Sequence, residues 1–234
     1  ETNYSKDKNL WHLSHEGLDL EDPALEPDLD KPLFLEMSVS PYQAPDKPTE
    51  VSVEFEAGVP VAVNSEKMKV SAIIKKLNAL GGANGIGILD IVENRLIGMK
   101  GHGIYETPGG TILYFAHEQL EMLTLDKETS HLKSKLAVDY ADLIYNGKWY
   151  TPLQEALTAF AKKANEHCTG TVKLKLYKGN MINAGITSPY SQYSEELVTF
   201  GESDFDQAAS AGFISIWGLP TKVQALLDEG ALNK

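Results

Sequence analysis

The sequence predicts an α+β fold: a largely antiparallel sheet with packed helices and an extended helical tail at the C-terminus. Three observations carry this. Alternating apolar and polar runs come in pairs joined by short glycine-containing turns, as antiparallel hairpins do. Stretches with helical spacing fall in blocks between those pairs, without the strict strand–helix–strand alternation of a parallel sheet. With 42% hydrophobic residues in 234, the chain can bury a sizeable core.

The first fifty residues hold 12 acidic and 4 basic side chains and six of the 11 prolines (Pro23, Pro27, Pro32, Pro41, Pro45 and Pro48). Proline removes a backbone donor and restricts the residue before it, so continuous helix or central strand is not expected over 21–50. Two readings stay open there: an extended acidic segment hugging the surface, or a solvated linker. Beyond it, Val51 to Glu56 alternates, Ala57-Gly58 turns, and Val59 to Val63 returns as the second strand of a hairpin. From Met68, the apolar positions Val70, Ile73, Ile74, Leu77 and Leu80 recur at helical spacing, with Gly81-Gly82 expected to stop the helix. Residues 87–100 read as two β segments with a tight turn near Asn94-Arg95. Thr107-Pro108 then reads as N-cap and first helical residue of a helix through about Leu123. Helices are further expected over Ala137 to Asn146, closed by Gly147, and Pro152 to His167, capped by Thr151. Thr171 to Tyr177 alternates, turns at Lys178-Gly179-Asn180 and pairs with Met181 to Ile186. The tail, Asp206 to about Leu219 and Thr221 to Asp228, reads as a helix broken or kinked at Pro220. The expected organisation is an entry segment over 1–49, a core domain over 50–205 and a helical oligomerisation tail over 206–234.

The formal net charge of −12 and a pI near 4.9 argue against nucleic acid or any other polyanion bound through a basic face. Cys168 is the single cysteine and has no internal disulfide partner. No apolar run approaches the ~20 residues of a membrane span. The expectation is a soluble, cytoplasmic protein without membrane association. The first ten residues lack the apolar run of a signal peptide and there is no initiator methionine, so the chain is expected to begin inside a longer polypeptide.

Most of the small motifs have plain structural explanations. Gly81 to Gly87 is glycine-rich, but a helix precedes it and a strand follows, the reverse of a nucleotide fingerprint. His12 and His15 have no second Cys or His cluster near them in sequence, so no metal site is expected. Cys168 lacks a nucleophile signature and reads as a buried structural thiol. The stretch from Asp90 to Gly110 differs, because Glu93 sits where an apolar run meets its turn and Tyr105 stands before a helix N-terminus. That junction suits an anion or zwitterion, or else serves only capping and turn chemistry.

The chain resembles the C-terminal half of the argininosuccinate synthase family. The resemblance rests on Tyr4-Ser5 with Asp7 and Asn9-Leu10, on Leu20-Glu21-Asp22-Pro23, on Pro60 to Asn64, on Asp90 to Arg95 with Gly98-Met99-Lys100, and on Tyr105 to Leu113. Leu123 to Asp126, Leu174 to Asn180 and Gly212 to Ile214 continue it in order along nearly the whole chain. The resemblance implies an AMP-forming ligase of arginine biosynthesis and the urea cycle. Such a ligase activates the ureido oxygen of citrulline with ATP and joins it to aspartate, giving argininosuccinate, AMP and pyrophosphate. It implies that ATP with Mg²⁺, and the aspartate, are bound mainly by an N-terminal domain whose Ser-Gly-Gly-x-Asp-Thr loop does not occur here, and that the protein is a homotetramer. Carried over position by position, the citrulline contacts fall on Ser5, Ser14, Glu93 and Tyr105, with no catalytic acid or base among them. Glu93 would hold the ammonium and the hydroxyls would complete a polar cage. Two places depart from the family pattern: Gly101 and His102 stand where Ser-Arg is usual, and Ile88 where Arg is usual. The other reading is a stand-alone citrulline-binding or assembly module without ligase activity.

Overall fold

A computed structural model describes residues 4–198 and 206–232. They fall into two compact units, Glu1–Gln192 and Tyr193–Lys234. The boundary expected at 205/206 lies at the edge of the stretch outside the described residues.

The strands of the first unit form two antiparallel sheets where one was expected. The four-stranded sheet has the order β1-β2-β7-β6, from β1 (Ser5–Lys8), β2 (Leu13–Glu16), β6 (Ile88–Asn94) and β7 (Lys100–Glu106). The five-stranded sheet runs β5-β4-β3-β8-β9, from β3 (Thr49–Glu56), β4 (Val59–Val63), β5 (Glu66–Lys67), β8 (Gly170–Tyr177) and β9 (Asn180–Thr187). The hairpins expected over 51–63 and 171–186 are present; the one expected within 87–100 is displaced, its second strand running over Lys100–Glu106. The Asn94-Arg95 turn spans five residues and closes with the Arg95 amide on the Met99 carbonyl at 2.8 Å, with Gly98 at φ +84°.

Helices α1 (Val70–Ala83) and α2 (Pro108–Thr124) cover one face of the five-stranded sheet. Ile73 and Leu77 from α1, Ile112, Ala116 and Leu120 from α2, and Val51, Val53, Phe55, Val172, Leu174 and Leu176 from the strands make the main core. Burial of such apolar side chains is the dominant favourable contribution to folding. Gly81 and Gly82 do not stop α1; they lie buried inside it. A methyl on Gly82 would stand 1.9 Å from the Met37 carbonyl oxygen, and one on Gly81 2.9 Å from Pro108, so this pair exists for close backbone approach. The Gly82 carbonyl accepts the Val39 amide at 3.0 Å, fastening the entry segment to the helix.

Helix α3 (Lys127–Tyr145) begins ten residues earlier than expected, because the Asp126 carboxylate accepts the Thr129 amide at 2.9 Å and caps a polar first half. Helix α4 (Pro152–Ala164) is capped by Thr151 as expected and ends before a short 3-10 turn, Asn165–His167. Thr107 occupies the N-cap of α2, but its side chain makes no capping bond. The Gly109 amide is instead taken by Asn78 Oδ1 of α1 at 2.8 Å.

The second unit contains α5 (Glu195–Val198), α6 (Ala209–Trp217) and α7 (Leu219–Asp228). The expected break falls at Gly218, and Pro220 sits in the first turn of α7, where its missing N–H leaves no bond unmade. Phe213, Ile214, Ile216 and Trp217 of α6 are all exposed. Among the described residues no helix is long and apolar enough to cross a membrane.

Candidate functional site

The acidic, proline-rich segment decides which face of the four-stranded sheet is covered. Residues 21–48 carry almost no regular structure, yet they are no solvated linker. Phe34 is 1% exposed and packs with Tyr4, Leu20 and Ile104 into a second core on one face of this sheet, with Leu29, Leu35 and Ile88 around it. Lys6 Nζ, on the same face, donates to the Leu33 and Phe34 carbonyls at 2.9 and 3.2 Å.

A buried carboxylate clamps the segment down. Glu106 is fully buried; its Oε1 accepts from His15 Nε2 at 2.7 Å and the Glu36 amide at 2.9 Å, and its Oε2 from the Met37 and Ser38 amides at 2.7 Å each. Burial alone would raise its pKa, but the bonds from His15, Glu36 and Met37 outweigh it and hold the carboxyl below its ordinary value. Because the carboxylate can only accept, His15 Nε2 carries the proton. His15 is therefore a core residue, and the segment reads as structure in the sheet's service.

His102 fastens the same side. It donates from Nδ1 to the Leu20 carbonyl and from Nε2 to Asp90 Oδ1 at 2.6 Å. The Asp90 bond raises its pKa, burial works against this, and the Leu20 bond adds to the rise. Ile88 packs into the second core. His102 and Ile88 thus have local roles on the covered face.

The opposite face follows from strand register. Ser5 pairs with Glu16 and Asp7 with Ser14; Ser14 pairs with Tyr105 and Glu16 with Gly103. Tyr105, Gly103 and Gly101 pair in turn with Leu89, Ile91 and Glu93. Directly paired residues project to the same side, so Ser5, Ser14, Glu93 and Tyr105 share one face. On this face Ser5 and Leu89 are exposed, Glu93 and Tyr105 half-buried, and Ser14 buried.

The four do not form one tight cluster. Ser14 and Tyr105 are cross-strand neighbours, and Ser14 Oγ accepts the Asp7 amide at 3.3 Å. Ser5 lies on the edge strand, three strand spacings, or about 14 Å, from the strand of Glu93. Between them Gly101 and Gly103 bring no side chain of their own, and Arg95 lies over Gly101, where a methyl would stand 3.1 Å from its Nε. A methyl on Gly103 would stand 3.2 Å from Glu16 Cγ and 3.3 Å from Tyr105 Cε2. Arg95 Nη2 reaches Glu16 Oε2 at 3.1 Å.

Tyr105 lies within β7, not in a loop. Its pKa is pushed up to about 12, first by burial, then by the negative charges of Glu93 and Glu16. The phenol is thus a neutral donor at physiological pH. The helix N-terminus expected to receive an anion is buried at Pro108, Gly109 and Gly110, with the Gly109 amide satisfied by Asn78, so α2 offers no such site. What this face presents is the half-buried Glu93 carboxylate, the acidic neighbours Asp7 and Glu16, the latter paired with Arg95, and several hydroxyls. That arrangement suits a ligand carrying an ammonium group and neutral hydrogen-bonding groups.

Sequence reasoning missed Glu16, Gly101, Gly103 and the clamp residue Glu106. The strand alternation through Gly101, Gly103 and Tyr105 was the available signal for this face. Cys168 is buried, as expected, and burial pushes its thiol up to about 11.

A family profile described as the Arginosuccinate synthase C-terminal domain matches residues 4–224. An argininosuccinate synthase of Clostridium botulinum is 61% identical over 226 residues, covering 96% of this chain and 55% of that protein. Those of Acetivibrio thermocellus and Moorella thermoacetica are 59% and 57% identical, covering 98% and 97% of this chain and 56% and 55% of theirs. The chain spans about half the length of the curated relatives it matches.

Proposed function

The chain belongs to the argininosuccinate synthase family, and we propose that it supplies the citrulline site and assembly contacts of a ligase that joins citrulline to aspartate. The ligase consumes ATP and yields argininosuccinate, AMP and pyrophosphate. One observation carries the reading: Ser5, Ser14, Glu93 and Tyr105 project from one sheet face, with the Glu93 charge close enough to raise the Tyr105 pKa.

Citrulline is a zwitterion with a neutral ureido tail. The Glu93 carboxylate accepts from its ammonium through a charge-assisted bond, and Tyr105, Ser14 and Ser5 supply neutral hydroxyls. None of the four needs to move a proton. Their work is to hold the ureido oxygen where the α-phosphate of ATP is presented, which converts an encounter into an oriented attack. ATP with Mg²⁺ and the aspartate are held mainly by residues outside this chain. The apolar surface of α6 fits contacts within a homotetramer. Light scattering is expected to give a tetramer for the full-length polypeptide, and a strict monomer at micromolar concentration would count against that contact.

The test is AMP release. The full-length polypeptide should release AMP from ATP only when citrulline and aspartate are both present, and this chain by itself should release none. Release by the chain alone, or release indifferent to citrulline, overturns the assignment.

A further inference from the structure

Away from that sheet face, three metal-ligating side chains of different chemistry meet at one point. His117 and Glu121 are one turn apart on α2 and share its face, while Cys168 lies between α4 and β8. Their ligand atoms all lie within 4.8 Å of one another. Cys168 Sγ is 3.8 Å from His117 Nε2, and His117 Nδ1 is 3.3 Å from Glu121 Oε1. Two ligands of one tetrahedral ion, with metal–sulfur of about 2.3 Å and metal–nitrogen of about 2.0 Å, stand about 3.5 Å apart. The sulfur–nitrogen separation is therefore close to that of a bridged pair, and a bound ion would replace the weak thiol–imidazole hydrogen bond now spanning it.

Glu121 Oε1 is buried and ion-paired with Lys133 Nζ at 2.7 Å. Asn165 Oδ1 is buried without a hydrogen-bond partner. It belongs to the same corner, since a methyl on Gly58 would stand 3.0 Å from Asn165 Cγ and 3.2 Å from His117 Nε2. A cavity of about 520 Å³ reaches His117, Glu121 and Lys133 and offers a way in from solvent.

We propose that His117, Glu121 and Cys168 form a site for a divalent cation of the zinc class. A thiolate and an imidazole beside one carboxylate select a borderline-soft ion over magnesium or calcium. On binding, the Cys168 S–H bond breaks, a sulfur–metal bond forms, and one proton leaves to the buffer. The ion would tie α2 to the junction of α4 and β8. Lys133 is the competing cation; its side chain is 28% exposed and can turn outward.

The probe is Co²⁺, titrated into the metal-free full-length polypeptide and followed by absorbance. A thiolate-to-cobalt charge-transfer band should saturate at one equivalent, bleach on adding Zn²⁺, and vanish in Cys168→Ala. Affinity should fall at least tenfold in His117→Ala, a change of about 1.4 kcal/mol. Lys133→Met should bind several-fold more tightly, which a purely structural ion pair would not predict. Absence of a band in the wild-type protein overturns the proposal whether or not Cys168→Ala folds. So does a band that persists in folded Cys168→Ala, or weaker binding in Lys133→Met.

Discussion

Replacing Glu106 by glutamine removes one charge and little volume, yet it should be among the most damaging substitutions in the chain. The wild-type carboxylate accepts four hydrogen bonds in a fully buried setting. An amide offers one oxygen, so whichever way it turns, its NH₂ faces two donors: His15 Nε2 and the Glu36 amide, or the amides of Met37 and Ser38. Losing two charge-assisted bonds while burying opposed donors costs about 3 to 5 kcal/mol. Total stabilities are roughly 5 to 15 kcal/mol, so the variant should be close to unfolding. Urea denaturation at neutral pH measures the loss as a drop in midpoint. A pH series gives a second check. Glu106's folded pKa is depressed, so its contribution is fully present above the ordinary carboxylate value of about 4.5 and is lost as pH falls through the folded value. The gap between wild type and Glu106→Gln should therefore shrink below about pH 4. A loss under about 1 kcal/mol at neutral pH, or a gap that stays constant into acid, would refute the clamp.

His102 has the opposite sign: its folded pKa is raised, so its stabilising contribution is fully present below about pH 6.5 and disappears as pH climbs through the folded value. Thermal melts of wild type and His102→Gln should thus differ more near about pH 6 than near about pH 9, and equal differences would remove the imidazolium from the account. Gly82→Ala, which helix propensity alone would favour by up to about 1 kcal/mol, should instead destabilise by about 2 kcal/mol or more, because the new methyl meets the Met37 carbonyl oxygen. A raised melting temperature would contradict that packing.

The hairpins were readable because period-two alternation and positive-φ turns such as Ala57-Gly58 and Lys178-Gly179 are local properties. The division into two sheets was not, since β2 pairs with β7 about ninety residues later and no local pattern announces it. The Gly81-Gly82 pair misled because glycine serves both as helix stop and as a place for backbone contact, and only Met37's position tells which. Asp126 followed by an acidic first turn signals a helix start, but the polar residues from Lys127 to Lys135 blur the apolar period that would have extended α3 upstream. The His15–Glu106 clamp joins residues 91 positions apart and leaves no trace in spacing. The four candidate citrulline residues came from the family resemblance, and their common face depends on the register of three strand pairs.

The most direct test of the citrulline site is the dissociation constant for citrulline in Glu93→Gln, measured calorimetrically on the full-length polypeptide, with Tyr105→Phe as a milder companion. If Glu93 holds the ammonium, losing a charge-assisted bond costs on the order of 1.5 to 3 kcal/mol, so citrulline should bind roughly ten- to a hundredfold more weakly. ATP and aspartate affinities should stay near wild type. Unchanged citrulline binding in both variants, accompanied by lower thermal stability, would contradict the account and leave Glu93 and Tyr105 as structural residues of the sheet.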